Sequence, residues 1–412
     1  MCMNKTTIYN ILLISIIPIL FIISTFDFKI AISTTVLMSL AFIAVIIFTI
    51  DCIRKRKHLF SKNEFLIIAV ILLSVIISFA YQISYMMKGI YYFGSVIQQV
   101  NAVLFLIIGL YLYQLHFDQF NKSLRIVSWI AFASAVHALF EEIVYFVNNG
   151  IALRVFSIYS NPIPAGTVWV MCIFLPLTGK RIPDLIMKIV YLIAIFLCMS
   201  RSAWLALVLG LSLYAVINRD TITKHYMAIK KPLRIALWII MIFLIIGLLQ
   251  IPTIREIIVF RLFHISTGPA AEAYSVRTTH SVYLLDIFFH CNPIFWVTGH
   301  GPGSTVPMFM SSPYWELDHY NVVDNSYLSV LYEYGIVMII TIVYILFLAF
   351  RKLYYKFKSA SCISNEDAIY ALMFICGAVT AFFYDLQYIM TPTLMMMLMA
   401  ATVMTPKKDK NA

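Results

Sequence analysis

The chain has 412 residues, 62% of them hydrophobic and only 12% charged, and its mean hydropathy is +0.90. Soluble domains carry roughly twice that charged fraction, so repeated apolar runs near the ~20 residues that cross a bilayer define an all-α polytopic membrane protein. The runs are continuous rather than alternating, which excludes a β-barrel, and the net charge of +11 does not form a nucleic-acid surface. It falls instead in short clusters between runs, "RKRKH" (54–58), "KKPLR" (230–234) and "RKLYYKFK" (351–358), as cytoplasmic loops do under the positive-inside rule.

Lys5 precedes the first run, and no A-x-A cleavage site follows it, so this run is read as a retained span. In chain order the spans fall at 8–25, 29–50, 64–83, 94–113, 124–147, 164–178, 185–200, 202–217, 233–251, 325–350, 368–384 and 387–403, about twelve in all. Twelve spans put both termini on one side. Taking that side as cytoplasmic leaves outside, of 30 Lys and Arg, only Lys29, Lys88, Arg154, Arg201, Arg255, Arg261 and Arg277. The chain is then a single membrane domain (1–412) with one external loop subdomain, 252–324, between spans nine and ten. Within it "AYSVRTTHSVYLLDIFFH" (273–290) has helical character and "GHGPGS" (299–304) is a turn-forming break. No CxxC occurs among the seven cysteines; Cys172, Cys198, Cys291 and Cys376 read as small hydrophobes in or beside spans.

Three outer features carry chemistry. Arginines outside run against the insertion bias, and Arg201 sits in a tight turn, "MSRSAW" (199–204), from which it cannot move far. The planar guanidinium fork suits phosphate or carboxylate; Arg154 and Arg277 converging with it would make a site for a large anion. A snorkelling side chain at a helix end is the plain alternative. His137, Glu141 and Glu142 lie near the outer end of span five, and Gln98, Gln99 and Asn101 near that of span four. They either bind a polar substrate or tie helices together. Finally, "YWELDHYNVVDNSYL" (314–328) gathers Glu316, Asp318, His319 and Asp324 with Tyr314, Trp315 and Tyr320 at the mouth of span ten.

Four stretches in order, "RVFSIYSNPIPAG" (154–166), "SRSAWLALVLG" (200–210), "VRTTHSVYLLDIFFHCNPIFWVTGHGPGS" (276–304) and "DNSYLSVLYEYGI" (324–336), resemble the O-antigen polymerase and O-antigen ligase superfamily. Its members are integral membrane glycosyltransferases of the bacterial inner membrane, acting at the periplasmic face on undecaprenyl-diphosphate-linked glycans. The resemblance covers about residues 90 to 345 and implies that Arg201 and Arg277 hold the diphosphate, with Arg154 at a further functional arginine position. Ligases carry a histidine directly before the asparagine of the fourth stretch. Asp324 stands there in this chain, which resembles the polymerases. The reaction implied is attack of a sugar hydroxyl on an anomeric carbon with departure of undecaprenyl diphosphate, the arginines stabilising the charge on the leaving oxygen.

A positioned carboxylate or imidazole deprotonates the hydroxyl, with Asp324 and His319 as candidates. Glu141, Asn161, Trp315, Tyr320 and Asn325 are candidate glycan contacts. No cofactor is implied, and no metal-ligand spacing is recognisable, although Asp318, His319 and Asp324 stay open as ligands. The partners implied are the lipid-linked oligosaccharide, the bilayer, a chain-length regulator and a flippase. The alternatives are a ligase or protein O-oligosaccharyltransferase of the same superfamily and, from another class, a lipid-linked glycan transporter.

Overall fold

The computed structural model describes residues 5–25, 30–58, 60–84, 90–149, 154–159, 161–176, 181–220, 223, 269–319, 322–358 and 363–405. The expected ninth span (233–251) and the first part of the external stretch (252–268) lie outside the described residues. Every described element is helical. In chain order these are α1 (Lys5–Thr25), α2 (Ile30–Lys55), α3 (Lys62–Ser84), α4 (Ile90–Leu115), α5 (Phe117–Asn149), α6 (Pro162–Cys172), α7 (Arg181–Leu197), α8 (Arg201–Ile217), α9 (Pro269–His290), α10 (Ile294–Thr298), α11 (Thr305–Met310), α12 (Trp315–Asp318), α13 (Ser326–Lys358), α14 (Asn365–Ala381) and α15 (Met390–Met404). A short 3₁₀ turn, Leu386–Tyr388, joins the last two.

Six described helices are long and apolar enough to cross a membrane: α1 to α5 and α13. α6 has 11 residues, about 16 Å of rise, too short to cross alone. All of its residues are buried, so it forms part of the inner scaffold, between α5, α7, α8, α14 and α15. α4 and α15 are likewise largely interior and pack on each other. Gly109 permits that approach, since a Cβ there would meet Ala401 Cβ at 2.8 Å. Small residues at such crossings let backbones come close, which replaces the missing hydrophobic drive between helices in lipid. By contrast α1, α2, α3 and α5 leave large apolar side chains exposed along one face, among them Ile43, Leu73, Phe140 and Ile143. That is the face a membrane protein offers to lipid.

α13 is one helix in register but two in backbone. Gly335 sits at φ 75, ψ −176, a conformation open essentially to glycine alone. The break frees helix carbonyls, and a neighbouring segment takes them up. His300 N–H donates to Tyr332 O (2.9 Å) and Gly301 N–H to Glu333 O (3.0 Å), while Ser74 Oγ donates to Tyr334 O (3.1 Å). Gly299 (φ 70) lies against this break so closely that a Cβ would be 2.2 Å from Glu333 O. The His300 ring is stacked between Phe295 (4.5 Å) and Tyr332 (4.2 Å). The "GHGPGS" turn is thus a plug against the break, which keeps irregular backbone away from lipid.

Candidate functional site

Three turns carry the expected arginines. The first, 154–159, is tied to its surroundings from both sides. Arg154 Nε donates to Cys198 O (3.2 Å), and Val155 N–H to Leu197 O (3.4 Å). On the other side Ser157, at φ 55, donates its N–H to Glu141 Oε2 (3.1 Å) and its Oγ lies 3.1 Å from His137 Nδ1. His137 and Glu141, one helical turn apart and 3.6 Å from each other, therefore clamp the turn that presents Arg154. Asn161 follows as the N-cap of α6, accepting from Ile163 N–H (3.0 Å) with Pro162 behind it. Its role in the fold is a helix cap.

The second turn presents Arg201 at the first position of α8. Met199 takes the left-handed conformation (φ 50), and Ser200 caps the helix by accepting from Ala203 N–H (3.4 Å). α6 closes on this turn at Gly166, where a Cβ would meet Ala203 Cβ at 2.7 Å and Cys198 Sγ at 2.9 Å. The Arg154 and Arg201 turns are consequently fixed to each other through the 197–200 backbone.

The third arginine, Arg277 on α9, reaches across to the entrance of α13. Its Nε lies 2.6 Å from Asp324 Oδ2, with Arg277 half-exposed and the Asp324 side chain only 2% exposed. All three guanidiniums feel one another. Burial first, and then the Arg277 and Arg201 charges, hold Arg154 below the ordinary arginine range; burial first, and then the Arg277 charge, lower Arg201 in the same sense. The three cations thus lie within electrostatic reach of one another, with the Asp324 carboxylate paired to Arg277.

Asp324 owes its position to a residue the sequence reading missed. Asp385, in the turn between α14 and α15, is buried and accepts N–H groups from Val323 (3.2 Å) and Asp324 (3.1 Å) and the Ser329 hydroxyl (2.7 Å). Asp324 itself is left-handed (φ 55). Ser326 stitches the same two segments, donating to Tyr384 O (2.7 Å) and accepting from Leu386 N–H (2.8 Å). Burial raises the Asp385 carboxyl from 3.8 to about 6, against the lowering effect of these donors. The only signal in the sequence is "YDLQY" (384–388), an acid in a turn between apolar runs. Nearby the fully buried His280 ring stacks on Phe309 (4.5 Å) and approaches Val322 O (3.3 Å), holding the other end of the Asp324 segment.

The remaining expected residues separate by role. Asn325 caps α13, accepting from Tyr327 N–H (3.0 Å) and Leu328 N–H (3.2 Å). His319 is exposed and left-handed (φ 51), its ring edge-on to Trp315 at 5.4 Å. Glu316 is exposed and Trp315 half-buried on α12. Tyr320 lies outside the described residues, as does the side chain of Asp318. Asn101 Nδ2 donates to Thr34 O (3.1 Å) and Gln98 to Tyr388 O (3.1 Å), so both join helices. Among the described residues no three His, Cys, Asp or Glu side chains converge as a metal site would require. No protein-family model matches the chain, and no curated protein matches it.

Proposed function

We propose that the protein is a polysaccharide polymerase of O-antigen or capsule type. It joins undecaprenyl-diphosphate-linked repeat units at the outer face of the bacterial inner membrane, on a scaffold of about twelve spans with both termini cytoplasmic. The observation that carries this reading is the convergence of Arg154, Arg201 and Arg277 from three separate segments. A leaving diphosphate develops negative charge, and fixed guanidiniums stabilise that charge more in the transition state than in the ground state. Asp324, spent on Arg277 and nearly inaccessible, acts in this mechanism by orienting the guanidinium. The exposed His319, with Glu316 beside it, is left as the group that accepts the acceptor hydroxyl's proton.

The experiment is the surface-glycan ladder of a deletion strain complemented with variants. Arg201→Ala and Arg277→Ala each leave core plus one repeat unit and no ladder, while the protein still inserts. A normal ladder in either variant removes the diphosphate assignment. Loss of all repeats from the core, with polymer still made on its lipid, assigns the chain to the ligases instead. A lipid-linked glycan transporter is the second reading, favoured by the broken α13 with Glu333 fully buried at the break, since discontinuous helices mark transport sites. Repeat units failing to reach the outer face in the deletion strain would establish it.

A further inference from the structure

A cavity of about 140 Å³ runs inside the bundle beneath the Asp324 turn. Its walls are helix stripes: Gln99, Ala102, Val103 and Leu106 of α4, and Thr393, Met396, Met397 and Ala400 of α15. Each stripe follows the i, i+3, i+4, i+7 spacing of one helix face. α13 closes the third side from Ser326 down to Ile345. Measured along α15 from Thr393 to Ala400, the lining spans about 10 Å at 1.5 Å per residue. It is long, narrow and almost wholly apolar.

Two polar residues inside it lack partners among the described residues. The Tyr334 hydroxyl and both atoms of the Gln387 side-chain amide are buried without a hydrogen bond, and both residues line the column. Tyr334 is only 1% exposed. Thr341 and Thr393 in the lining are satisfied locally, donating to Val337 O (2.9 Å) and Leu386 O (3.0 Å). Buried donors are ordinarily paired, so the orphans mark a missing partner. The outer end of the column is formed by Ser326, Tyr327, Leu386 and Gln387. These are chain neighbours of Asp324 and Asp385, so the mouth opens beside the Arg277–Asp324 pair.

We infer that the column receives the first isoprene units of a polyprenyl diphosphate, chain inward and diphosphate outward at the arginines. This rests on the glycosyltransferase reading and adds to it the place of the donor's lipid. Charge complementarity at the mouth selects an anionic head. A single narrow column takes one chain, where a phospholipid brings two. An isoprenoid carries a double bond in every unit, and its π-face accepts weakly from an O–H or N–H with no better partner. A saturated chain offers Tyr334 and Gln387 nothing.

The test uses the purified full chain with a farnesyl diphosphate analogue carrying a photoreactive diazirine on its last isoprene unit, and peptide mapping of the adduct. Labelling of the wild-type protein is expected within 338–345 or 393–400. Ala400→Phe, which fills the column, is expected to reduce that labelling at least tenfold. Hexadecyl diphosphate, with the same head on a saturated chain, is expected to compete poorly. Adducts confined to lipid-facing residues of α1 to α3 overturn the inference on the wild-type protein alone, whatever the folding of the variant. Equal competition by hexadecyl diphosphate overturns the isoprenoid assignment. If Arg201→Ala abolishes labelling and Ala400→Phe does not, the donor reading stands and the column falls. If neither variant changes it, both fall.

Discussion

Asp324 and Arg277 separate two chemical roles that a carboxylate at that position can hold. As a base, Asp324 needs a free lone pair facing the acceptor hydroxyl; as an orienting group, it needs only its 2.6 Å contact to Arg277 Nε. If Asp324 acts only by orienting Arg277, Asp324→Asn, which keeps an acceptor oxygen for Arg277 Nε, still builds a ladder of reduced length. Complete loss of the ladder in Asp324→Asn would return Asp324 to the role of base. Asp385 titrates with a definite sign. Its folded-state value of about 6 stands above the ordinary 3.8, so the folded state binds the proton more tightly than the unfolded state does. The penalty is absent below pH 4, grows between pH 4 and 6, and is complete above 6, at roughly 3 kcal/mol from 1.36 kcal/mol per unit. Lowering the pH from 7 to 5 should therefore stabilise the wild type relative to Asp385→Asn by roughly 1 kcal/mol. Denaturation of both proteins in mixed detergent micelles at the two pH values measures this difference. An equal pH dependence in the two would place the carboxyl's titration elsewhere.

Among elements, the broken α13 makes the sharpest demand on particular residues. A Cβ on Gly335 would stand 2.3 Å from Val297 O, and Gly335 also requires φ 75. Gly335→Ala therefore combines a backbone clash with a disfavoured conformation, and a loss of about 3 kcal/mol or more is expected. Gly94→Ala supplies the control: nothing lies within 4 Å of its Cβ, and alanine is the better helix former by about 1 kcal/mol. Fluorescence-detected size exclusion after heating should show Gly335→Ala lost well below the wild type and Gly94→Ala at or above it. What the sequence reveals at this scale follows the same physics. Spans such as α1 to α5 are legible because lipid requires long apolar runs. The break is not legible, because "YEYGIVM" (332–338) carries no mark except a glycine that also suits an ordinary membrane helix. Asn161 and Asn325 look like substrate contacts in sequence, yet each satisfies helix N–H groups that precede any ligand. Asp385 was missed for the opposite reason. An acid in a turn between spans ordinarily faces water, and only the fold shows it buried on the Asp324 backbone.

At the scale of the whole molecule, cations gather towards both ends of α13, which the proposed topology puts on opposite sides of the membrane. Arg54, Lys55, Arg56 and Lys57 are exposed where α2 ends. Lys352, near the other end of α13 from Asp324, donates to the last carbonyls of α15 at Thr402 O (2.5 Å) and Thr405 O (2.9 Å), where a cation complements the helix dipole. The arginine cluster sits at the opposite end of α13, where the proposed topology needs a reason to place cations against the insertion bias. A diphosphate ligand supplies one. This polarity predicts the outcome of cysteine labelling. Of the described cysteines, Cys52, Cys172, Cys198 and Cys376 are buried and Cys291 is half-buried, so Cys291→Ser removes the described thiol most open to reagent. In that background, after replacement of Cys2 and Cys362 as well, a cysteine introduced at the exposed Glu316 should react with a membrane-impermeant maleimide on intact spheroplasts. One introduced at Lys57 should react only after the membrane is permeabilised. Labelling at 57 from outside would invert the molecule, put the arginines in the cytoplasm, and remove the polymerase reading at its root.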